Sequence, residues 1–144
     1  MNAQEMWDLY SSEKNINADY DAWAFGDDPD TLAGLVEKGI KTATASLRLW
    51  YDLENEALPK EGEYSVVLDS REQAFCVIRT TKVYVTPFCE VQEQHAFREG
   101  EGDRSLPYWS KVHKKFFSEE LKAIDRDFDE SMEVVCEEFI KVYP

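Results

Sequence analysis

The chain has 144 residues, 43% of them hydrophobic and 13% aromatic, which is enough to bury one ordinary core and too little for two. Its formal net charge of −14 sets 30 acidic side chains against 16 basic ones. Such a surface repels phosphate backbones over a Debye length of about 8 Å, so broad nucleic-acid binding is disfavoured and no DNA partner is expected, while a local cationic pocket could still hold a small, weakly charged ligand.

Asn2 to Ser12 reads as a short amphipathic helix carrying Met6, Trp7 and Tyr10. Asn15 to Asp27 reads as irregular and rich in aromatics; Tyr20, Trp23 and Phe25 either close the core or line a pocket. Asp28-Pro29 starts a helix, with Asp28 as N-cap and Leu32, Leu35 and Val36 as its apolar stripe. Gly39 ends that helix, and the β-branched Thr42 to Thr44 open a strand. Lys41 leaves the junction where the strand begins, a place at which a structural residue would be Val or Thr. A lysine snorkelling from a strand end has the same sequence signature.

Ser46 to Asn55 forms a second short helix with Leu47, Trp50 and Tyr51 at helical spacing, and Pro59 to Gly62 turns the chain. Tyr64 to Asp69 and Ala74 to Thr86 make a β-hairpin around Ser70-Arg71-Glu72-Gln73. Phe88 to Arg98 reads as a helix ending at Gly100, followed by a charged turn to Ser105. Ser105 and Pro107 open a helix with Trp109, Val112 and Phe116 on one face. Lys111, Lys114 and Lys115 stay in water there, either as a solvated face or as a guide for phosphate. Ser131 to Tyr143 closes as a strand, with Met132, Val134, Cys136, Ile140 and Val142 on one face. Glu138 interrupts it and marks a bulge or a partnered carboxylate.

No eighteen-residue apolar run and no basic-then-apolar leader at Met1 to Tyr10 occur, so a membrane location is not expected and the cytoplasm is the default. Cys76, Cys89 and Cys136 read as buried thiols, and His95 and His113 are too few for a histidine-based metal motif, so neither metal nor cofactor is expected. Dinucleotide, P-loop and hydrolase-elbow motifs are absent. Asp125 to Asp129 mimics a calcium loop, but Glu130 stands where its glycine belongs and Cys136 where its glutamate belongs. Strands interleaved with short helices, without βαβ periodicity, give an α+β domain built on a small curved β-barrel with short flanking helices.

Gly39-Ile40-Lys41-Thr42-Ala43-Thr44, with Trp23-Ala24-Phe25-Gly26, the Glu99 to Ser105 turn, Trp109 and His113, resembles the ASCH domain family of the PUA-like superfamily, within an uncharacterised bacterial subgroup. The resemblance spans most of the chain and implies a cleft for RNA or nucleosides. In one bacterial branch a lysine, a threonine and a glutamate hydrolyse the amide of N4-acetylcytidine, and the matching positions are Lys41, Thr44 and Glu99. Trp23, Phe25, Gly26, Thr42, Ser46, Arg104, Trp109 and His113 are the implied substrate contacts. Ser46 stands where many members carry an arginine, and Arg48 falls in the following helix.

The chemistry stands independently. A threonine hydroxyl needs a base, which a lysine with its pKa lowered in an apolar recess can supply. A carboxyl can protonate the leaving amine, and aromatic rings can stack on a base. Two functions follow: an amidohydrolase on an acylated nucleoside with Thr44 as nucleophile, Lys41 as base and Glu99 as proton donor, or a module that binds or cleaves short RNA through Lys41, Lys111, Lys114 and Lys115. The acidic balance favours the first. In a regular strand Lys41 and Thr44 would face opposite sides, so the reading needs an irregular glycine-led junction or a lysine stem that folds over.

Overall fold

The computed structural model describes residues 1–144 and shows the expected architecture as a curled five-stranded half-barrel with five flanking helices. The strands are β1 (Tyr20–Ala24), β2 (Ala43–Leu47), β3 (Tyr64–Leu68), β4 (Ala74–Pro87) and β5 (Glu133–Tyr143). The helices are α1 (Ala3–Lys14), α2 (Pro29–Glu37), α3 (Arg48–Glu54), α4 (Glu93–Glu99) and α5 (Leu106–Lys122). Spatial order is β1-β3-β4-β5-β2, so β1 and β2 are the two free edges. Only β1 and β3 run parallel; the other pairs are antiparallel.

The 14-residue β4 is the spine, pairing with β3 and along most of β5. Its register slips between Thr80 and Lys82, where Phe139 and Glu138 lie opposite, leaving Thr81 as the extra residue of a bulge. Glu138 is the partnered carboxylate anticipated there: its oxygens lie 3.9 Å from Lys82 and 3.6 Å from Arg98. Helices cover both faces of the sheet. Met6, Trp7 and Tyr10 of α1 pack on Val66 and Val77, while Leu32, Ala33 and Val36 of α2 pack on Val67, Cys76, Ile78 and Phe139. Ala96 of α4 and Trp109, Phe117 and Leu121 of α5 close over Leu47, Val134 and Cys136.

Several expectations change. The stretch read as irregular contains β1, whose five residues alternate too little to declare a strand because Asp21 and Ala22 lie exposed beside Tyr20 and Trp23. The helix expected from Phe88 is a 3-10 turn over Phe88–Glu90, a break at extended Val91, and then α4. Asp28 adopts a left-handed conformation and makes no side-chain cap, leaving Pro29 to set the start of α2. Along β5, Val134, Val135, Cys136 and Phe139 are all buried and Ile140 is exposed, because helices cover both faces of this strand. Cys89 is exposed rather than buried. No helix is long and apolar enough to cross a membrane.

Candidate functional site

Lys41 lies in an irregular link between α2 and β2. Gly39, with φ +76°, ends α2 in the left-handed conformation, and the backbone N–H groups of Ile40 and Lys41 both donate to the Leu35 carbonyl. Thr42 then donates from its backbone N–H to the Arg98 carbonyl at 2.7 Å and accepts from the Phe139 N–H at 3.0 Å. The link is thus clamped between the end of α4 and β5. Gly100 permits that approach, since a Cβ there would lie 2.6 Å from the Ile40 carbonyl oxygen. Because β2 starts only at Ala43, strand alternation does not separate Lys41 from Thr44, and both line one small chamber.

Lys41 is 1% exposed, and its Nζ lies 3.0 Å from Glu99 Oε1 and 2.9 Å from Glu101 Oε2. It also sits 5.2 Å from the centre of the Phe25 ring. Glu99, also 1% exposed, receives four donors. Its Oε1 faces Lys41 and, at 3.3 Å, His113 Nε2, while its Oε2 accepts from His95 Nε2 and Trp109 Nε1 at 2.6 Å each. His95 and Glu99 are one helical turn apart, so α4 presents both on its buried face. His113 donates from Nδ1 to the Trp109 carbonyl at 2.9 Å and stacks on the Trp109 ring.

This arrangement revises the expected apolar recess. Burial alone would lower the Lys41 pKa, but Glu99 and Glu101 reverse that and raise it above the ordinary lysine value. Burial likewise opposes charge on Glu99, yet Lys41, then His113, hold its carboxyl well below the usual carboxylate range. His113 is raised above its ordinary value, because its contact with Glu99 outweighs the cost of burial. The resting site is therefore an ammonium–carboxylate pair with an attached imidazole.

The chamber, about 70 Å³, shares Phe25, Gly26, Thr44, Ala45 and Phe116 with a larger groove of about 680 Å³. The groove occupies the open side of the half-barrel, with β1 and β2 as its rims and Ser65, Thr80 and Glu137 of β3, β4 and β5 among its lining. Trp23, Trp50, Tyr51 and Phe116 supply aromatic walls. Of the expected contacts, Trp23 and Ser46 line the groove, His113 lines the chamber, and Phe25 and Gly26 line both. Ser46 Oγ lies 3.1 Å from the Tyr51 hydroxyl. Gly26 leaves room for Phe116, whose ring a Cβ would meet at 2.8 Å.

Thr42, Arg104 and Trp109 line neither cavity. Trp109 is 2% exposed and orients Glu99, while Arg104 covers the Phe97 ring at 3.7 Å and donates to the Phe97 carbonyl. Arg48 pairs with Glu133 at 3.2 Å and leaves the position beside Ser46 without a cation. The sequence reading missed His95, Glu101, Glu137 and Phe116 as site residues. Two signals were available: the helical pairing of His95 with Glu99, and the place of Glu101 in the Glu99 to Ser105 turn.

A half-barrel holding a buried lysine–carboxylate pair beside an open groove has the form of a small PUA-like domain. The chain belongs to the ASCH domain family, whose model matches residues 21–143. It is similar to the crystal structure of an ASCH domain from Lactobacillus crispatus JV V101, with 32% identity, a TM-score of 0.90, and coverage of 98% of this chain and 94% of that one. It is also similar to protein EF3133 from Enterococcus faecalis V583, with 37% identity, a TM-score of 0.91, and coverage of 99% and 88%. Hypothetical protein PH0355 shares the fold at 19% identity and a TM-score of 0.54, over 78% of this chain and 93% of that one. No curated protein matches the chain significantly.

Proposed function

We propose that this ASCH domain protein is an amidohydrolase acting on an acylated nucleoside such as N4-acetylcytidine. The observation that carries the reading is the buried Lys41–Glu99 contact of 3.0 Å in a chamber that also holds Thr44 and adjoins an aromatic groove of nucleoside size. Thr44 attacks the acyl carbon and its proton moves to Lys41, while Lys41 passes its own proton to Glu99. Glu99 then protonates the departing N4 nitrogen, the C–N bond breaks, and an acyl ester remains on Thr44. Water cleaves that ester, with the released proton returning through Lys41. Because Lys41 begins protonated, it can take the Thr44 proton only as it hands its own to Glu99: the pair rests with one proton, holds two while Thr44 is acylated and N4 is still bound, and returns to one when Glu99 protonates N4.

The groove favours an uncharged ligand over RNA. Asp21, Glu56, Glu63, Glu120 and Glu137 line it against one cation, Lys60, so a phosphate entering it meets repulsion. Lys111, Lys114 and Lys115 are exposed and line neither cavity. Aromatic stacking in the groove contributes about 1–3 kcal/mol per base. The test is chromatographic detection of cytidine released from N4-acetylcytidine by the wild-type protein and by Lys41→Ala, Thr44→Ala and Glu99→Ala, each checked for folding by circular dichroism. Turnover by the wild type and its loss in all three variants is the expected result; no turnover by the wild type overturns the proposal.

A further inference from the structure

Of the five groove carboxyls that the hydrolytic scheme leaves unused, Glu137 is the one on the strand paired with that of Thr44. On β5 it stands directly opposite Thr44 of β2 in the antiparallel register, so the two side chains share a face, with Cβ atoms about 5 Å apart. Both line the groove, together with the hydroxyls of Ser65 and Thr80. Its neighbour Glu138 points the other way and is paired with Lys82 and Arg98, whereas the Glu137 carboxyl has no ion-pair or hydrogen-bond partner in the protein. Glu137 is half-buried and its carboxyl opens onto the groove without a protein partner, which leaves both of its oxygens free to hydrogen-bond a ligand there.

We propose that Glu137 reads the base: in its neutral form its hydroxyl donates to the ring N3 of an N4-acylated cytosine and its carbonyl accepts from the N4–H, turning the acyl group toward Thr44. The proposal rests on the amidohydrolase reading for the identity of the ligand. Its chemistry comes from complementarity, since this edge offers one acceptor beside one donor and a carboxylic acid offers the reverse pair. A carboxylate would satisfy the N4–H and repel the N3 lone pair. The environment supports the neutral form: burial, with Glu63 adding, pushes the Glu137 carboxyl up to about 7.

The other titratable groups around the groove are Asp21 of β1, Tyr51 of α3, Glu120 of α5, and Glu56, Lys60 and Glu63 of the segment before β3. β2 and β4 face it with hydroxyls alone, from Thr44, Ser46 and Thr80. Burial raises Glu120 as well, so Glu120 is the group a control must separate from Glu137.

Calorimetric titration with N4-acetylcytidine at about pH 6 and about pH 8, on full chains that all carry Thr44→Val to stop turnover and are called wild type where residue 137 is unchanged, tests the assignment apart from turnover. With Glu137 titrating near neutrality, the wild type binds about tenfold more weakly at the higher pH. Glu137→Gln, whose amide offers the same donor–acceptor pair, binds at both pH values about as well as the wild type does at the lower one. Glu137→Leu binds weakly at both, and Glu120→Gln keeps the wild-type pH dependence. An unchanged pH response in Glu137→Gln, or wild-type affinity in Glu137→Leu, overturns the assignment. Hydrolysis without this pH response leaves the enzyme reading standing and removes Glu137, whereas the expected binding pattern without hydrolysis does the opposite.

Discussion

Replacing Lys41 by Met keeps most of the side-chain volume and removes the cation that Glu99 meets at 3.0 Å, both residues being 1% exposed. Breaking a buried pair from one side costs about 3–5 kcal/mol, because the remaining charge is left in a poorly solvating interior. His113, His95 and Trp109 still reach Glu99, which places the expected loss near the lower bound, about 3 kcal/mol. With a urea m-value of about 1.5–2 kcal/mol/M, the unfolding midpoint falls by about 1.5–2 M. Glu99→Gln in the same chain keeps an acceptor for Trp109 and His95 and removes the stranded charge. The double variant is therefore more stable than the sum of the single losses predicts, by about 1.5–3 kcal/mol. Urea unfolding of the four proteins, followed by tryptophan fluorescence, reads the cycle. Costs that add to within about 0.5 kcal/mol would refute the reasoning, since they would mean the two groups fold independently of each other.

Four further outcomes follow from the same geometry. Glu99 is held below its unfolded pKa, so its contribution is full above the ordinary Glu value and is lost as pH falls toward its lowered folded value; Glu99→Gln flattens the acid limb of a stability–pH profile. His113 is raised, so its contribution is full below its ordinary value and fades as pH rises through its raised folded pKa; His113→Phe removes that step from the same profile. Glu137 is also raised, to about 7, but as a carboxyl it weakens the fold as pH rises from the ordinary Glu value through about 7, so Glu137→Gln stabilises the protein at about pH 8 by about 1–3 kcal/mol in thermal or urea unfolding. Gly100→Ala, at φ +73° and 2.6 Å from the Ile40 carbonyl oxygen, costs about 2–4 kcal/mol and lowers turnover by displacing the Glu99–Glu101 segment from Lys41.

Much of the fold was written in local pattern. The β3–β4 hairpin follows from alternating residues around a polar turn, and the helix ending at Gly39 places Lys41 where the structure has it. β1 escaped because a five-residue edge strand beside one partner needs little alternation, and its parallel pairing to β3 depends on residues about forty positions away. The site was legible as residue types and illegible as charge states. Lys41 was placed in an apolar recess because the one acidic residue near it in sequence, Glu37, belongs to the preceding helix; the carboxylates that hold its proton arrive from 58 and 60 residues further on. For adjacent Glu137 and Glu138, strand periodicity says that one faces inward without saying which. The bulge at Thr81 and the reach of Arg98 decided it, turning Glu138 to the cations and Glu137 to the groove.

The most direct test of the account is the rate of cytidine release from N4-acetylcytidine by the wild-type protein, measured beside Thr44→Val and Thr44→Ser. Thr44 lies outside the buried charge cluster, and valine preserves its shape and strand preference while deleting the hydroxyl. The account predicts turnover by the wild type, retained activity with serine, and none with valine. Turnover that survives in Thr44→Val would contradict the assignment of the nucleophile, and a wild-type protein that leaves the amide intact would contradict the enzyme itself.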